Sequence, residues 1–189
     1  LGASHSFIVY NSRMNKTLNI VGIIPSRMGS TRFPGKALQK IEGMPMVGHV
    51  YSRSKMSKIL SEVYIAVSGR EIEEYADSIN AKWIPDRKES YRGCGNAVAD
   101  AVDEIEKRTS KKVDIAVLIQ GDEPMIVPEM IDMAVKPMLE DPSIHIVNLM
   151  APIRSVEEHE DPNCPKVVVD RNNNALYFSR EPIPSAKKW

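Results

Sequence analysis

The chain has 189 residues and carries 25 Lys plus Arg against 25 Asp plus Glu, so its formal net charge is zero. That length suits one α/β domain with a core of its own, and the neutral balance argues against a general nucleic-acid binder, which needs a basic excess. Two cysteines, Cys94 and Cys164, are too few for a disulfide framework; the four histidines lack metal-ligand spacing; and no apolar run approaches the ~20 residues that cross a bilayer.

Residues 1–13 contain a short apolar run from Phe7 to Tyr10 with no basic flank before it, which is not a signal-peptide core. Met14 then precedes the first convincing strand. The expectation is a disordered or non-native extension over 1–13 and one domain over 14–189, located in the cytoplasm. Residues 20–24, Ile-Val-Gly-Ile-Ile, form a continuous apolar run closed by Pro25, the pattern of a strand buried on both faces. A polar loop follows over 26–35. The spacing of Val47, Val50, Tyr51, Met56 and Ile59 predicts a helix over 46–59.

Residues 63–67 read as a second strand, and 70–79 as a short helix with Ile72, Tyr75, Ala76 and Ile79 on one face. Trp83-Ile84-Pro85 is a short third strand. Residues 96–107 predict a helix with Val98, Ala101, Val102 and Ile105 inward. Residues 115–119 read as a fourth buried strand, and Pro128 opens a helix that runs to about Leu139. A fifth strand is expected over 144–150. Residues 167–169 and 175–178 flank an Asn-rich turn over 170–174, which tolerates left-handed backbone.

Strands alternate with helices along most of the chain, which predicts an α/β fold: a largely parallel, Rossmann-like sheet with helices on both faces. Ligands on such sheets bind at the carboxyl ends of the strands. Two polar segments fall there, 26–36 after the first strand and 120–124 after the fourth, and they are expected to face one crevice.

The first segment, Ser26-Arg27-Met28-Gly29-Ser30-Thr31-Arg32-Phe33-Pro34-Gly35-Lys36, has three cations, two glycines and two hydroxyls beyond Ser26. Glycines admit a ligand close to the backbone, and successive N–H groups can cradle anionic oxygens. Arg27 and Arg32 offer planar donor pairs, and Lys36 a compact charge, as a triphosphate requires. It is neither a Walker A loop, since Ala37 follows the lysine, nor a GxGxxG fingerprint. The second segment, Gln120-Gly121-Asp122-Glu123-Pro124, sets two carboxylates beyond a strand. Asp122 suits a magnesium ion, which often takes one or two carboxylates together with substrate phosphates.

The block from Pro25 to Lys36 resembles the N-terminal signature of the sugar-acid cytidylyltransferases, the 3-deoxy-manno-octulosonate (KDO) cytidylyltransferases among them. Gln120-Gly121-Asp122-Glu123-Pro124 is similar to their second signature. A third block joins Pro165-Lys166-Val167-Val168-Val169-Asp170 to Ala175-Leu176-Tyr177-Phe178-Ser179-Arg180-Glu181-Pro182-Ile183-Pro184.

The resemblance implies a nucleotide-diphospho-sugar transferase fold of three layers. It also implies an enzyme that transfers CMP from CTP to a 2-keto sugar acid and releases pyrophosphate, for cell-surface polysaccharide or lipopolysaccharide synthesis. It assigns Arg27, Gly29, Ser30, Arg32, Lys36 and Gln120 to the nucleotide, and Gln120 and Arg180 to the sugar acid. Asp122 goes to Mg2+, and Lys36, Arg27 and Asp122 go to catalysis. A homodimer is implied for the full-length form, with no nucleic acid or membrane partner.

Two departures stand out. Relatives carry Ser-Gly-Thr-Asp/Glu-Arg before the helix that follows the third strand, whereas this chain has Gly93-Cys94-Gly95-Asn96-Ala97. Relatives also continue well past the Ser-Arg-x-x-Ile-Pro block, into a part that holds further sugar contacts, much of the dimer interface and a second magnesium-binding Asp. A nucleotidyltransferase for a different sugar, or an inactive nucleotide-binding relative, therefore stays open as an alternative.

Overall fold

The computed structural model describes residues 17–29, 33–86 and 94–185. The expected extension over 1–13, Ser30 and Arg32 of the cationic loop, and residues 91–93 lie outside the described residues. The chain divides into two compact units, one up to Val147 and one from Asn148 onward.

In the first unit the strands are β1 (Ile20–Arg27), the short β2 (Lys40–Ile41) and β3 (Met44–Pro45), β4 (Glu62–Ser68), β5 (Trp83–Pro85) and β6 (Ile115–Leu118). The helices are α1 (Met46–Ser54), α2 (Arg70–Ser78), α3 (Cys94–Thr109) and α4 (Pro128–Glu140). The main sheet has the order β5-β4-β1-β6, and every pairing in it is parallel. The chain moves outward from β1 to β4 and β5, then crosses back to lay β6 on the other side of β1. Open α/β sheets bind ligands at such a reversal, here beyond the carboxyl ends of β1 and β6.

Apolar residues on both faces of β1 explain its central place. Ile24 joins Val47, Val50, Ile65, Ile72 and Ile131 on one face, while Val21 and Ile23 join Ala66, Ala101 and Ile105 on the other. Ile23, Ile24 and Ile65 are fully buried, and each such side chain contributes about 1.5–3 kcal/mol relative to exposure. Gly22 lies tightly packed in β1: a Cβ there would lie 2.8 Å from Leu60 Cδ1 and 3.0 Å from Ile119 Cδ1, so those side-chain ends would have to shift.

Three expectations need correction. The fourth predicted strand, β6, is not buried on both faces: among the described residues it is the sheet's edge, with Ala116 and Leu118 exposed. The first helix stops at Ser54 rather than Ile59. There the Ser54 hydroxyl donates back to Val50 O, and Met56 and Ser57 N–H groups donate to carbonyls three residues earlier. Ser57 Oγ then donates to Asp132 of α4, which turns the chain away from the helix axis. Residues 144–150 are not a strand. Ile146 is 81% exposed, and among the described residues no strand lies beside the segment to take its backbone groups.

The second unit contains α5 (Val156–Glu160), which the apolar pattern did not announce, and the antiparallel hairpin of β7 (Lys166–Val169) and β8 (Ala175–Ser179). Ser155 caps α5 by accepting from the Glu158 N–H. The Asn-rich turn of the hairpin is held by Asp170, whose carboxylate accepts from the Asn172 and Asn174 N–H groups and the Asn174 amide, with Asn173 at φ 63°.

Candidate phosphate-binding site

Two loops meet at the carboxyl ends of β1 and β6. The first leaves β1 at Arg27, and its neck is closed by backbone bonds: Met28 N–H donates to Ser68 O, and Gly35 N–H to Met28 O. Met28 is wedged at this neck between two glycines of positive φ. Gly35 stands at φ 67° and Gly69 at φ 124°, and a Cβ on Gly69 would lie 3.1 Å from Met28 Cγ. Gly35 then delivers the chain into a single 3-10 turn over Lys36–Leu38, anchored by buried Ala37. Lys36 therefore leaves a fixed point.

The second loop continues from β6, where Ile119 N–H still donates to Ile23 O. Gly121 then passes over the end of β1 so closely that a Cβ would sit 2.7 Å from Pro25 O. The glycine allows this approach and so brings the next residue, Asp122, to the mouth of the β1 loop. Lys36 Nζ donates to Asp122 Oδ2 at 2.7 Å, with the two side chains 35% and 50% exposed. The sequence separation of this contact is 86 residues, and it brings together two of the residues that the sequence singled out.

Other expected residues fall around this pair. Arg27 is exposed at the end of β1. Gly29 is exposed, and a Cβ there would meet nothing within 4 Å, so packing does not demand its glycine. Gln120 lies between β6 and Asp122 on the same loop and is exposed. Glu123 does not continue an extended backbone, because its N–H closes a turn onto Gln120 O. Arg180 belongs to the other compact unit, where its Nη1 donates to Pro162 O at 2.8 Å.

Sequence reasoning did not single out Ser26. Its side chain is buried on β1, and its hydroxyl has no hydrogen-bond partner among the described residues. It also did not anticipate the demands on Gly69 and Gly121, although a glycine at each strand exit was the available signal. The departing segment begins α3: Gly95 is exposed with open space around it, and Ala97 is buried. The position that bears arginine in the resembled signature thus faces protein interior here.

Among the described residues there is no group of three or more His, Cys, Asp or Glu side chains arranged to hold a metal. No helix among them is long and apolar enough to cross a membrane.

A parallel sheet with polar loops at its reversal point is a ligand-binding α/β fold, and the match to a solved CMP-sugar synthetase makes it that of a nucleotidyltransferase. Residues 21–188 match the cytidylyltransferase family, and the chain belongs to it. It is 41% identical over 173 residues to the 3-deoxy-manno-octulosonate cytidylyltransferase of Pelobacter propionicus, covering 91% of this chain and 65% of that protein. It is 42% identical, with the same coverage, to the enzyme of that name from Geobacter metallireducens. Among solved structures, CMP:2-keto-3-deoxy-manno-octonic acid synthetase complexed with CTP superposes with a TM-score of 0.78 at 32% identity, over 89% of this chain and 67% of that one. The chain thus spans 65% of the length of the curated relatives it matches.

Proposed function

We propose that this chain carries the nucleotide-activating part of a cytidylyltransferase that transfers CMP from CTP to 3-deoxy-manno-octulosonate or a related 2-keto sugar acid, releasing pyrophosphate. The observation that carries the reading is the meeting of Lys36 with Asp122 at 2.7 Å beyond the ends of β1 and β6. One loop supplies cations for a triphosphate, and the other a carboxylate beside them. The names of the relatives support CTP and the sugar acid as substrates.

The chemistry needs no covalent intermediate. The anomeric hydroxyl of the sugar attacks the α-phosphorus and gives up its proton to solvent, the bond to the bridging oxygen breaks, and pyrophosphate leaves with that electron pair. Catalysis is then mostly alignment and charge stabilisation. Arg27, Lys36 and, in the part of the loop outside the described residues, Arg32 offset the charge of the triphosphate. Gly29 lets phosphate oxygens approach the backbone. Gln120, two residues before Asp122, is assigned to the nucleotide and the sugar, and Arg180 to the sugar carboxylate.

A magnesium ion fits the donor set. Asp122 keeps one carboxylate oxygen unengaged by Lys36 and is half exposed, and substrate phosphates complete a coordination shell of this kind. When bound, the ion would offset charge on the phosphates and on the leaving pyrophosphate.

The test is pyrophosphate release with CTP, magnesium and 3-deoxy-manno-octulosonate, with CTP affinity measured in parallel by calorimetry. Sugar-dependent release is the expected result. CTP binding without release for any 2-keto sugar acid would favour a nucleotide-binding relative that does not turn over, a reading that buried Ala97 favours. Absence of CTP binding would sink both.

A further inference from the structure

Lys166 is the largest fully buried side chain among the described residues, 1% exposed, and it carries an ammonium. A buried charge is costly unless its donors are satisfied. Here Nζ donates to two backbone carbonyls, Asp161 O at 2.5 Å and Arg180 O at 3.1 Å, and among the described residues no carboxylate pairs with it. A single apolar side chain could have filled this space without the desolvation cost of an ammonium, so the placement of the cation calls for a reason.

What the two carbonyls have in common supplies one. Asp161 begins the turn that follows α5, and its carbonyl also accepts from the Cys164 N–H. Arg180 directly follows β8. Its side chain reaches the same turn, where Nη1 donates to Pro162 O at 2.8 Å. Arg180 is therefore gripped twice: its own carbonyl by Lys166, and one end of its guanidinium by Pro162. The residues that grip it are tied to each other through Asp161. Of the five guanidinium N–H donors, those on Nη1 face the protein. Nε and Nη2, which lie side by side on the other edge, have no protein partner among the described residues, and Arg180 is exposed. That edge is the fork that receives a carboxylate with two parallel bonds.

We infer that Lys166 is a positioning residue for acidic-sugar recognition: its buried ammonium locks the backbone of Arg180 and the Asp161–Pro162 turn, and so holds the free edge of the Arg180 guanidinium ready for the sugar carboxylate. The inference rests on the proposed function, which gives Arg180 that ligand. A freely rotating arginine would lose side-chain entropy on capture, and this lock removes most of that loss beforehand. Lys166 touches no substrate. Its contacts lie within the second compact unit, whereas the cationic loop proposed to serve CTP belongs to the first, so its effect is expected on the sugar acid.

The experiment compares the full chain with Lys166→Met, Lys166→Gln, Arg180→Lys and the double variant Lys166→Met/Arg180→Lys. KM for 3-deoxy-manno-octulosonate, KM for CTP and kcat are read from pyrophosphate release, with circular dichroism and a thermal melt to verify folding. Methionine keeps the apolar stem and removes the donors, whereas glutamine keeps two N–H donors without the charge. The expected result is a roughly 10-fold or greater rise in the sugar-acid KM for Lys166→Met, with the CTP KM unchanged within about twofold. Lys166→Gln recovers part of the loss, and the double variant is no worse than Arg180→Lys alone.

Equal weakening toward both substrates, or additive losses in the double variant, would overturn the positioning role and leave Lys166 a structural residue only. If Lys166→Met does not fold, Lys166→Gln carries the same comparison. An Arg180→Lys variant with an unchanged sugar-acid KM would instead overturn the assignment of Arg180. A parent chain that binds CTP but takes no sugar acid would overturn the proposed reaction beneath both.

Discussion

Lys36 and Asp122 form an ion pair at 2.7 Å across the ends of β1 and β6, although their proposed ligands differ: phosphate for the lysine, magnesium for the aspartate. Each occupies the group that the other's proposed ligand would take. On that reading, a triphosphate drawing the ammonium away would release the carboxylate oxygen and couple the two binding events. The pair is partly exposed, so its own contribution to stability is at most about 1 kcal/mol.

Lys36→Met should therefore leave the thermal midpoint nearly unchanged while weakening CTP binding. A charged hydrogen bond of about 1.5–3 kcal/mol corresponds to a loss of roughly 10- to 150-fold. The same variant should bind Mn2+ more tightly than the parent when no nucleotide is present. Calorimetry with CTP and paramagnetic titration with Mn2+ check both halves. Unchanged CTP affinity would remove Lys36 from the phosphate site.

Gly121→Ala places a methyl group 2.7 Å from Pro25 O, a backbone atom in the central strand that has little freedom to yield. Overpacking of this kind costs about 1–3 kcal/mol, or roughly 2–12 °C in melting temperature for a chain of this size. Because Asp122 follows directly, kcat should fall by more than the loss of folded protein accounts for. Differential scanning fluorimetry alongside steady-state kinetics separates the two effects.

Ser26→Ala should be neutral or stabilising. The hydroxyl is buried without a partner, and such a group carries a desolvation cost of about 1–3 kcal/mol that alanine removes. A raised melting midpoint is expected. A clear fall in the midpoint would mean that the hydroxyl finds a hydrogen bond in solution.

Gly48 of α1 lies beneath the hydroxyl of Tyr75 on α2, and an added Cβ would sit 2.0 Å from that oxygen. Gly48→Ala should destabilise the chain even though alanine favours helix by about 1 kcal/mol. Removing the obstruction with Tyr75→Phe in the double variant should restore most of the loss. A thermal-melt cycle over the four proteins measures it, and additive single effects would count against this contact.

The Asp170 turn should be sensitive to acid. The Asn174 side chain, then the backbone N–H groups of Asn174 and Asn172, hold the Asp170 carboxyl below the ordinary aspartate value. A folded-state pKa that is depressed stabilises the folded form above the unfolded pKa near 4, and that contribution is lost as pH falls through the lower folded value. Amide resonances of Asn172 and Asn174 should lose protection below about pH 4 while those of Ile23 and Ile24 persist. Asp170→Asn should show the loosened turn at neutral pH.

Much of the sheet was legible because its strands are apolar on both faces: β1, β4 and β5 lie where the sequence predicts them. Period alone could not distinguish a central strand from an edge. β6 has the same apolar run as β1, yet no strand covers its far side among the described residues. Residues 144–150 show how an apolar run misleads when no ladder partner exists. The short β2–β3 hairpin and α5 are too brief to carry a periodic signal, and they are set by the left-handed Glu42 and Gly43 and by the Ser155 cap. In the site, Lys36 and Asp122 were legible as residue types at strand exits. Their contact was not, because it depends on Gly121 crossing Pro25 at a distance that only the folded sheet defines. Lys166 was equally hidden: as the first residue of a strand it reads as a surface lysine, and only the neighbouring carbonyls explain its burial.

The pairing of Lys36 with Asp122 also has a meaning in time. The two are 86 positions apart, and synthesis at roughly 5–20 residues per second sets their appearance roughly 4–17 seconds apart. During that interval the emerging chain has made the cationic loop but not its acid. β6 cannot dock against β1 until it too has been made, so the carboxylate arrives together with the strand that, among the described residues, is the last of the main sheet. On the proposed reading, the coupling of metal with nucleotide would therefore be acquired only once residue 122 has been made and β6 has docked.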